Sequence, residues 1–507
     1  MKFRQLFSIA TFSIAAMTGL SAAAQEATDA LRFSFLAPTG TARSMGFGSA
    51  LGSVGGDFTA LSVNPAGIGI YRRGEVMFTP SLKFNGTDAE YLGDMEMDNG
   101  TRFNFNNLGI VFTREARGRD YDRASWKTFS FGIGMNRLAE FGRNYNYGGL
   151  MQGTGNEYSS FSEVFVNAAA ADPAAVDDPR SMAYLGYQSY LVNEDSLGFY
   201  TLANWETGLI QRKSVQERGG INELVISLGG NYQEKLMIGA TLGLPTVRYS
   251  RESYFEEEDA TNDPNNYFRS FRYSENLQTT GMGVNLKLGM IIKPADNFRF
   301  GIALHTPTWF GLTDASTTSL VTNTETFKAE TGQSDPSPVT TVAPDENRYT
   351  YRLTTPWRAI LSATAFMGQF GFVSADYEYV DYKAMRFGFD NIDDAREELT
   401  NDLIRENFQG AHNFRLGFEA RLSEFFGRAG FGYYGNPYNS KELEMTRTDL
   451  SLGIGYRAGD FFTDLAFVHS RTESPDQPYV LPLPVISPVA LLSGRQNTFA
   501  WTIGWKF

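Results

Sequence analysis

The sequence predicts an all-β protein, a transmembrane antiparallel β-barrel of about 14 strands with a small N-terminal plug, or hatch, in its lumen. Three observations predict it. The chain ends N-T-F-A-W-T-I-G-W-K-F, in which Phe499, Trp501, Ile503, Trp505 and Phe507 alternate with small or polar residues. Alternation of this kind gives a strand one wholly apolar face, and its length of about eleven residues suits a tilted bilayer crossing. Hydrophobic residues make up 42% of the 507, yet mean hydropathy is −0.28 and no apolar run reaches the ~18 residues of a membrane helix. A membrane protein with that profile crosses with strands, because a polar lumen dilutes the lipid face. Finally, segments with a two-residue period recur down the chain, joined alternately by tight turns and long connections.

Composition narrows the chemistry. A net charge of −13 argues against a nucleic-acid partner, which demands clustered cations. The absence of cysteine removes disulfides, thiolate metal sites, cysteine catalysis and a lipid-anchored N-terminal cysteine. No cofactor or metal is expected.

Residues 1–24 read as a signal peptide: Lys2 and Arg4 precede an apolar stretch from Leu6 to Leu20, and Ala22-Ala23-Ala24 forms an A-x-A cleavage site. Residues 25–73 differ from the rest. Gly40, Gly46, Gly48, Gly52, Gly55, Gly56, Gly67 and Gly69 divide them into short pieces, with one or two helical turns expected over Asp57–Ser62 before Asn64-Pro65. No G-K-[ST] follows these glycines, so a phosphate loop is excluded. A compact Gly-rich segment ahead of a barrel reads as a plug.

The barrel is expected over 74–507, with strands near 74–84, 102–113, 127–146, 220–232, 235–250, 270–292, 297–312, 350–367, 369–383, 411–422, 425–435, 446–457, 459–471 and 492–507. Phe414, Leu416 and Phe418 share one face opposite Arg415, Gly417 and Glu419. Leu450, Leu452 and Ile454 likewise oppose Ser451, Gly453 and Gly455. Tight turns fall at 233–234, 293–296, 368, 423–424 and 458–459, and long connections at 147–219, 251–269, 313–349, 384–410, 436–445 and 472–491. A soluble β-sandwich also alternates but has no reason to sort its loops by end, whereas outer-membrane barrels do. The charged connection 114–126 departs from the rule, being longer than its side requires.

Three connections carry further signals. An Ala-rich helix is expected within 155–200. Glu256-Glu257-Glu258-Asp259 reads as a solvated acidic loop, without the spacing of an EF-hand. Val480–Leu492, apolar and proline-rich, cannot be a regular strand. The third strand has a local anomaly: Phe129, Phe131, Ile133 and Met135 alternate with small residues, but after Arg137 the pattern slips at Leu138 and Gly142 interrupts it. A one-residue slip marks a bulge or kink.

The run G-x-G-x-A…D-F-T-A-L-S-V-N-P-A-G, with G-A-T-L-G-L-P at 239–245, G-I-A-L-H-T-P-T at 301–308, T-P-W-R-A-I-L-S-A-T at 355–364 and N-F-R-L-G-F-E-A at 413–420, resembles the FadL/TodX-type outer-membrane transporters of hydrophobic compounds over nearly the whole mature chain. The resemblance implies a monomeric passive channel in the outer membrane of a Gram-negative bacterium, taking a hydrophobic small molecule such as a long-chain fatty acid or an aromatic hydrocarbon. It places a gate at Asn64, Pro65, Ala66 and Gly67, and a lateral opening beside the third strand at Leu138, Ala139, Glu140, Phe141 and Gly142, closed by the plug around Asn64-Pro65-Ala66. Trp505 and Phe507 would be read by the outer-membrane assembly machinery, and the barrel surface would meet outer-membrane lipid. The same family includes relatives that act as protein-secretion partners, so a non-transporting secretion or surface-attachment barrel is the alternative. Enzymatic activity is not expected: His305, His412 and His469 are the only histidines, and none suits a triad.

Overall fold

The computed structural model describes residues 28–507 except 38, 117, 390–393 and 441–442; the expected signal peptide lies outside the described residues. Fourteen antiparallel strands form one closed barrel. They are β1 (Glu75–Tyr91), β2 (Asp94–Glu115), β3 (Trp126–Glu140, resuming as Arg143–Met151), β4 (Leu209–Tyr232), β5 (Leu236–Asp259), β6 (Ser270–Ala295), β7 (Phe298–His305, resuming as Trp309–Asn323), β8 (Asn347–Thr354, resuming as Arg358–Phe366), β9 (Gly371–Asp381, followed by Arg386–Phe389), β10 (Gly410–Leu422), β11 (Phe425–Tyr434), β12 (Thr446–Ala458), β13 (Phe461–Asp476) and β14 (Ala490–Lys506). Each pairs with its neighbours, and β14 returns to β1 in a register that sets Trp505 opposite Val76, which closes the sheet on itself.

Alternation sets the faces. On β12, Leu452 is 61% exposed and Ser451 only 5%; on β14, Phe499, Trp501, Trp505 and Phe507 point outward while Thr498, Ala500 and Thr502 are buried. The outward residues form an apolar belt around the wall, as a lipid-facing surface requires.

Several strands outrun their sequence signal. β4 begins at Leu209, β5 runs to Asp259, and β7 runs to Asn323, in stretches expected to be loop. Beyond the belt the outward face turns polar (Arg212, Gln216, Arg218), so hydropathy loses its contrast while the backbone ladder continues. The acidic run is therefore strand, not a solvated loop, and Glu257 is buried against the segment above it. Two strands expected to be continuous are instead broken at prolines, Pro307 in β7 and Pro356 in β8, which cannot donate to a ladder. The two breaks lie side by side, and Thr355 N donates to Thr308 O at 3.0 Å. β14 starts at Ala490, slightly inside the proline-rich stretch. The anomalous connection 114–126 is tightened by Ala116 N donating to Lys127 O at 3.0 Å.

Inside the barrel sits the N-terminal segment. Its elements are α1 (residues 28–34), α2 (Ala42–Gly46), α3 (Ala60–Val63) and a 3-10 turn, Pro65–Ile70. Four longer connections carry α4 (Arg119–Arg123), then α5 (Ser162–Ala171) and α6 (Met182–Gln188), then α7 (Phe327–Glu330), and finally α8 (Asp394–Asn407). Ahead of α5, Phe161 stacks on Tyr479 with ring centroids 5.6 Å apart and packs edge-on against Phe255 and Tyr273. The Ala-rich helix thereby joins β5 and β6 to the β13–β14 connection in one apolar cap.

Candidate functional site

The plug is fastened to itself first. Thr41 caps α2 by accepting from Ser44 N at 3.1 Å, and its hydroxyl donates to the Asp57 carboxylate at 2.8 Å, which also accepts from Thr59 N. Asn64 caps the 3-10 turn, accepting from Ala66 N at 3.1 Å. Its amide also donates to Gly52 O and, at 3.3 Å, to Met290 O on β6. Gly67 O accepts from Gly56 N at 3.0 Å. The four residues singled out at 64–67 thus form one turn lying on β5 and β6. No side chain fits between: a Cβ at Gly289 would fall 1.9 Å from Asn64 Oδ1, and one at Gly239 would fall 2.3 Å from Pro65 O.

On the opposite side the plug meets charge. Arg43 donates to Glu419 at 3.1 Å, Arg428 donates to the same carboxylate at 2.6 Å and to Asp464 at 2.8 Å, and Arg457 reaches Asp464 at 3.0 Å. A second network holds the floor above the plug, where Arg358 and Arg415 both donate to Glu378 at 2.8 Å.

The wall is interrupted beside β3. The β2–β3 ladder runs from Glu115↔Thr128 to Asn107↔Asn136 and stops. Beyond that level β2 pairs only with β1, and the continuation of β3 pairs only with β4. Both strands are irregular here. β2 bulges at Asn106 opposite Thr79/Pro80, and β3 shifts register between Arg137 and Ala139, so that Leu138 is unpaired. Ala139 and Glu140 still face Ile221 and Gly220 of β4, and Glu140 is paired with Arg137 at 2.6 Å. Phe141 and Gly142 then leave the strand. The Phe141 ring lies in the lumen, 5.4 Å from that of Tyr249 and 5.8 Å from that of Phe33 on α1.

Side chains bridge the gap that the backbone leaves. Asn85 Nδ2 donates to Gly142 O at 2.5 Å, Arg102 to Asn144 Oδ1 at 3.5 Å, and Asn146 Nδ2 to Asp98 at 3.1 Å. The lipid-side lip carries Phe103 and Phe105, both more than half exposed. Behind it Lys83, 2% exposed, faces inward from β1 with no hydrogen bond or ion pair among the described residues.

A small cavity of about 70 Å³ adjoins the break. Its apolar side is Phe33, Leu36, Leu138, Ile221 and Phe310, and its polar floor includes Glu223, Lys287, His305 and Arg358. One chain of contacts links this floor to the base of the gap. Lys287 is paired with Glu223, Ser62 Oγ donates to Glu223 at 3.1 Å, Asn136 Nδ2 donates to Ser62 Oγ at 2.8 Å, and Asn107 Nδ2 donates to Asn136 Oδ1 at 2.8 Å. The plug therefore touches the base of the gap through Ser62, and the gap is backed by Phe33 and by Thr39, whose hydroxyl donates to Arg137 O. This differs from the expectation that Asn64-Pro65-Ala66 backs it. That turn is held away, on β5 and β6, by its glycine seats. Ser62, Asn107 and Asn136 escaped the sequence reading because single polar residues on strands and turns carry no pattern.

Other singled-out residues lie elsewhere. Trp505 packs on Phe461 with centroids 5.4 Å apart, and Phe507 N donates to Gly74 O at 2.9 Å. His305 bonds Val63 O, His412 bonds Tyr377, and His469 bonds Asn497. At the mouth, Glu257 accepts from Phe161 N at 2.8 Å and from Gln211 Nε2 at 2.8 Å, and also from the Ser160 hydroxyl. Burial pushes its carboxyl up to about 7 despite those donors.

No protein-family model matches the chain, and no curated protein matches it by sequence. Its fold is matched among solved structures. A Pseudomonas aeruginosa FadL homologue aligns with a TM-score of 0.55 and 13% identity, over 94% of this chain and all of the other. The Ralstonia pickettii toluene transporter TbuX aligns with 0.50 and 16%, over 93% and 99%. A deletion mutant of the monoaromatic hydrocarbon channel TodX aligns with 0.51 and 14%, over 92% and 98%. The chain has the plugged 14-strand barrel fold of the FadL/TodX type.

Proposed function

We propose that this protein is an outer-membrane channel of the FadL/TodX type, through which a hydrophobic small molecule such as a long-chain fatty acid or an aromatic hydrocarbon passes without energy input. A continuous aqueous bore is a poor path for such a molecule, at about 0.8 kcal/mol for each methylene exposed, and the plug fills the bore. The molecule enters at the mouth, descends past α1, and leaves sideways into the lipid between the outer halves of β2 and β3, at Leu138–Gly142. The plug turn Asn64–Gly67 stays seated and blocks the axial route. The observation that carries this reading is the interrupted ladder: between β2 and β3 the wall lacks backbone hydrogen bonds beyond Asn107 and Asn136, and a part-apolar cavity abuts that place from within. Phe103 and Phe105 on its outer lip suit a molecule entering lipid.

The chain has no cysteine, so the gap can be closed by design. A Cβ at Gly142 would fall 3.3 Å from Arg102 Cγ, within disulfide reach; Arg102→Cys with Gly142→Cys, oxidised in the folded barrel, should abolish uptake of a fluorescent fatty acid and of toluene into cells, and reduction should restore it. Normal uptake through the oxidised barrel would show that the molecule leaves by another way. A well-folded barrel taking up neither compound in either state would favour the secretion-partner reading.

A further inference from the structure

A barrel wall is convex toward the membrane, so a deep hollow on its outside needs a local cause. One is present near the end that carries both termini of the barrel and the tight turns. It has a volume of about 910 Å³ and opens onto the lipid face between Phe112 and Phe131 on one side and Leu288 on the other, with Ala240 at its centre. Behind it the wall lies directly on the plug. A Cβ at Gly229 would fall 2.5 Å from Ile68, and one at Gly239 2.3 Å from Pro65 O. At these glycines no side chain holds the wall off the plug, and outward Phe112, Phe129 and Phe131 line the hollow.

The end of the hollow nearest the turns is chemically different. Trp126 stacks on Phe129 at 5.2 Å and meets Tyr232 edge-on at 5.4 Å, an aromatic cluster of the kind found at a membrane–water interface. Arg114 lines the hollow beside it. It is exposed and has no ion pair among the described residues, whereas nearby Arg72 is held by Glu115 and Glu234. An apolar hollow of ligand size within the lipid belt, ending in an exposed guanidinium at the interface, matches an acyl chain joined to a phosphate.

We propose that this groove is a binding site for a glycerophospholipid of the periplasmic leaflet, one acyl chain lying over Ala240 and the phosphate on Arg114. The site is separate from the gap beside β3 and does not depend on what the channel carries.

The test is native mass spectrometry of the intact barrel in mild detergent, titrated with dioleoylphosphatidylglycerol and, in parallel, with dioleoylglycerol and oleate. The first phosphatidylglycerol should bind in preference to both. Arg114→Gln should weaken it about fivefold, the effect of one basic residue on an anionic lipid. Ala240→Trp, filling the groove, should remove the high-affinity adduct, while Leu452→Trp on the opposite wall should leave it intact. Heat-modifiable mobility checks the fold of each variant, and exposed Arg114 keeps the test valid if Ala240→Trp fails to fold. Equal binding of the three probes, an unchanged adduct in Arg114→Gln, or a groove-filling effect confined to a dimer population would overturn the proposal.

Discussion

The two sides of the plug are held by different physics. Toward β10–β13, Arg43 joins a buried run of alternating charge through Glu419, Arg428 and Asp464. Toward β4–β6, Asn64, Pro65 and Ile68 of the plug turn meet bare backbone at Gly289, Gly239 and Gly229. Charged ties are directional and individually strong, and each depends on its partners remaining ionised and in place. Glycine contact has little intrinsic strength, but it admits no other residue. The plug is thus anchored on one side and fitted on the other, and the two sides should fail differently.

The largest expected effect comes from the anchored side. Glu419→Gln leaves Arg43 and Arg428 facing each other in a buried space, at a cost of about 3–5 kcal/mol. It should lower the thermal midpoint of the purified barrel and expose the Gly40–Gly69 segment to protease. An unchanged midpoint would mean that the ion run is ornamental and that the plug is held by fit alone. Next, Gly289→Val puts side-chain atoms where Asn64 Oδ1 now lies. Overpacking of that kind costs about 1–3 kcal/mol, and it should increase protease access to the plug while leaving the wall's heat-modifiable mobility in place. Equal resistance in variant and parent would remove the glycine seat from the account.

The smallest effect separates the plug from the cap at the mouth. The Glu257 carboxyl, pushed up to about 7 by burial, takes up a proton more readily in the closed cap than in an opened, solvated one. A group whose closed-state value is raised stabilises the closed state fully below its ordinary range near 4.5, and that stabilisation is lost as pH rises through about 7. Hydrogen exchange in Ser162–Ala171, corrected for its intrinsic pH dependence, should therefore speed up by about tenfold per pH unit between pH 5.5 and 7. Glu257→Gln should flatten the profile, and exchange in the plug should not follow it. A flat profile in the parent would show that the cap opens without exposing Glu257.

The barrel was legible where lipid imposes contrast. Leu450, Leu452 and Ile454 against Ser451 and Gly453 declare both a strand and its facing, and the slip after Arg137 coincides with the register shift at Leu138. Legibility ended with the bilayer. Arg212, Gln216 and Arg218 are as much strand as Leu224 and Leu228, but with water on the outer face alternation carries no signal. Pro307 and Pro356 were visible, yet the expected strands ran through them because the flanking residues kept the period. The site was harder still. Arg43, Glu419, Arg428 and Asp464 are distant in sequence, and only closure of the barrel brings them together; Ser62, Asn107 and Asn136 meet for the same reason.

The unexpected length of β4, β5 and β6 has a consequence of scale. Strands of 24–26 residues, rising roughly 3.3 Å per residue and tilted about 45°, reach roughly 55–60 Å in height, while the apolar band needs about 25 Å. Allowing for the turns, the wall on this side stands about 30 Å above the hydrocarbon, like a chimney rising from one edge of a roof. On the proposed function, a greasy solute would meet this wall before it reached the polar headgroups that would repel it.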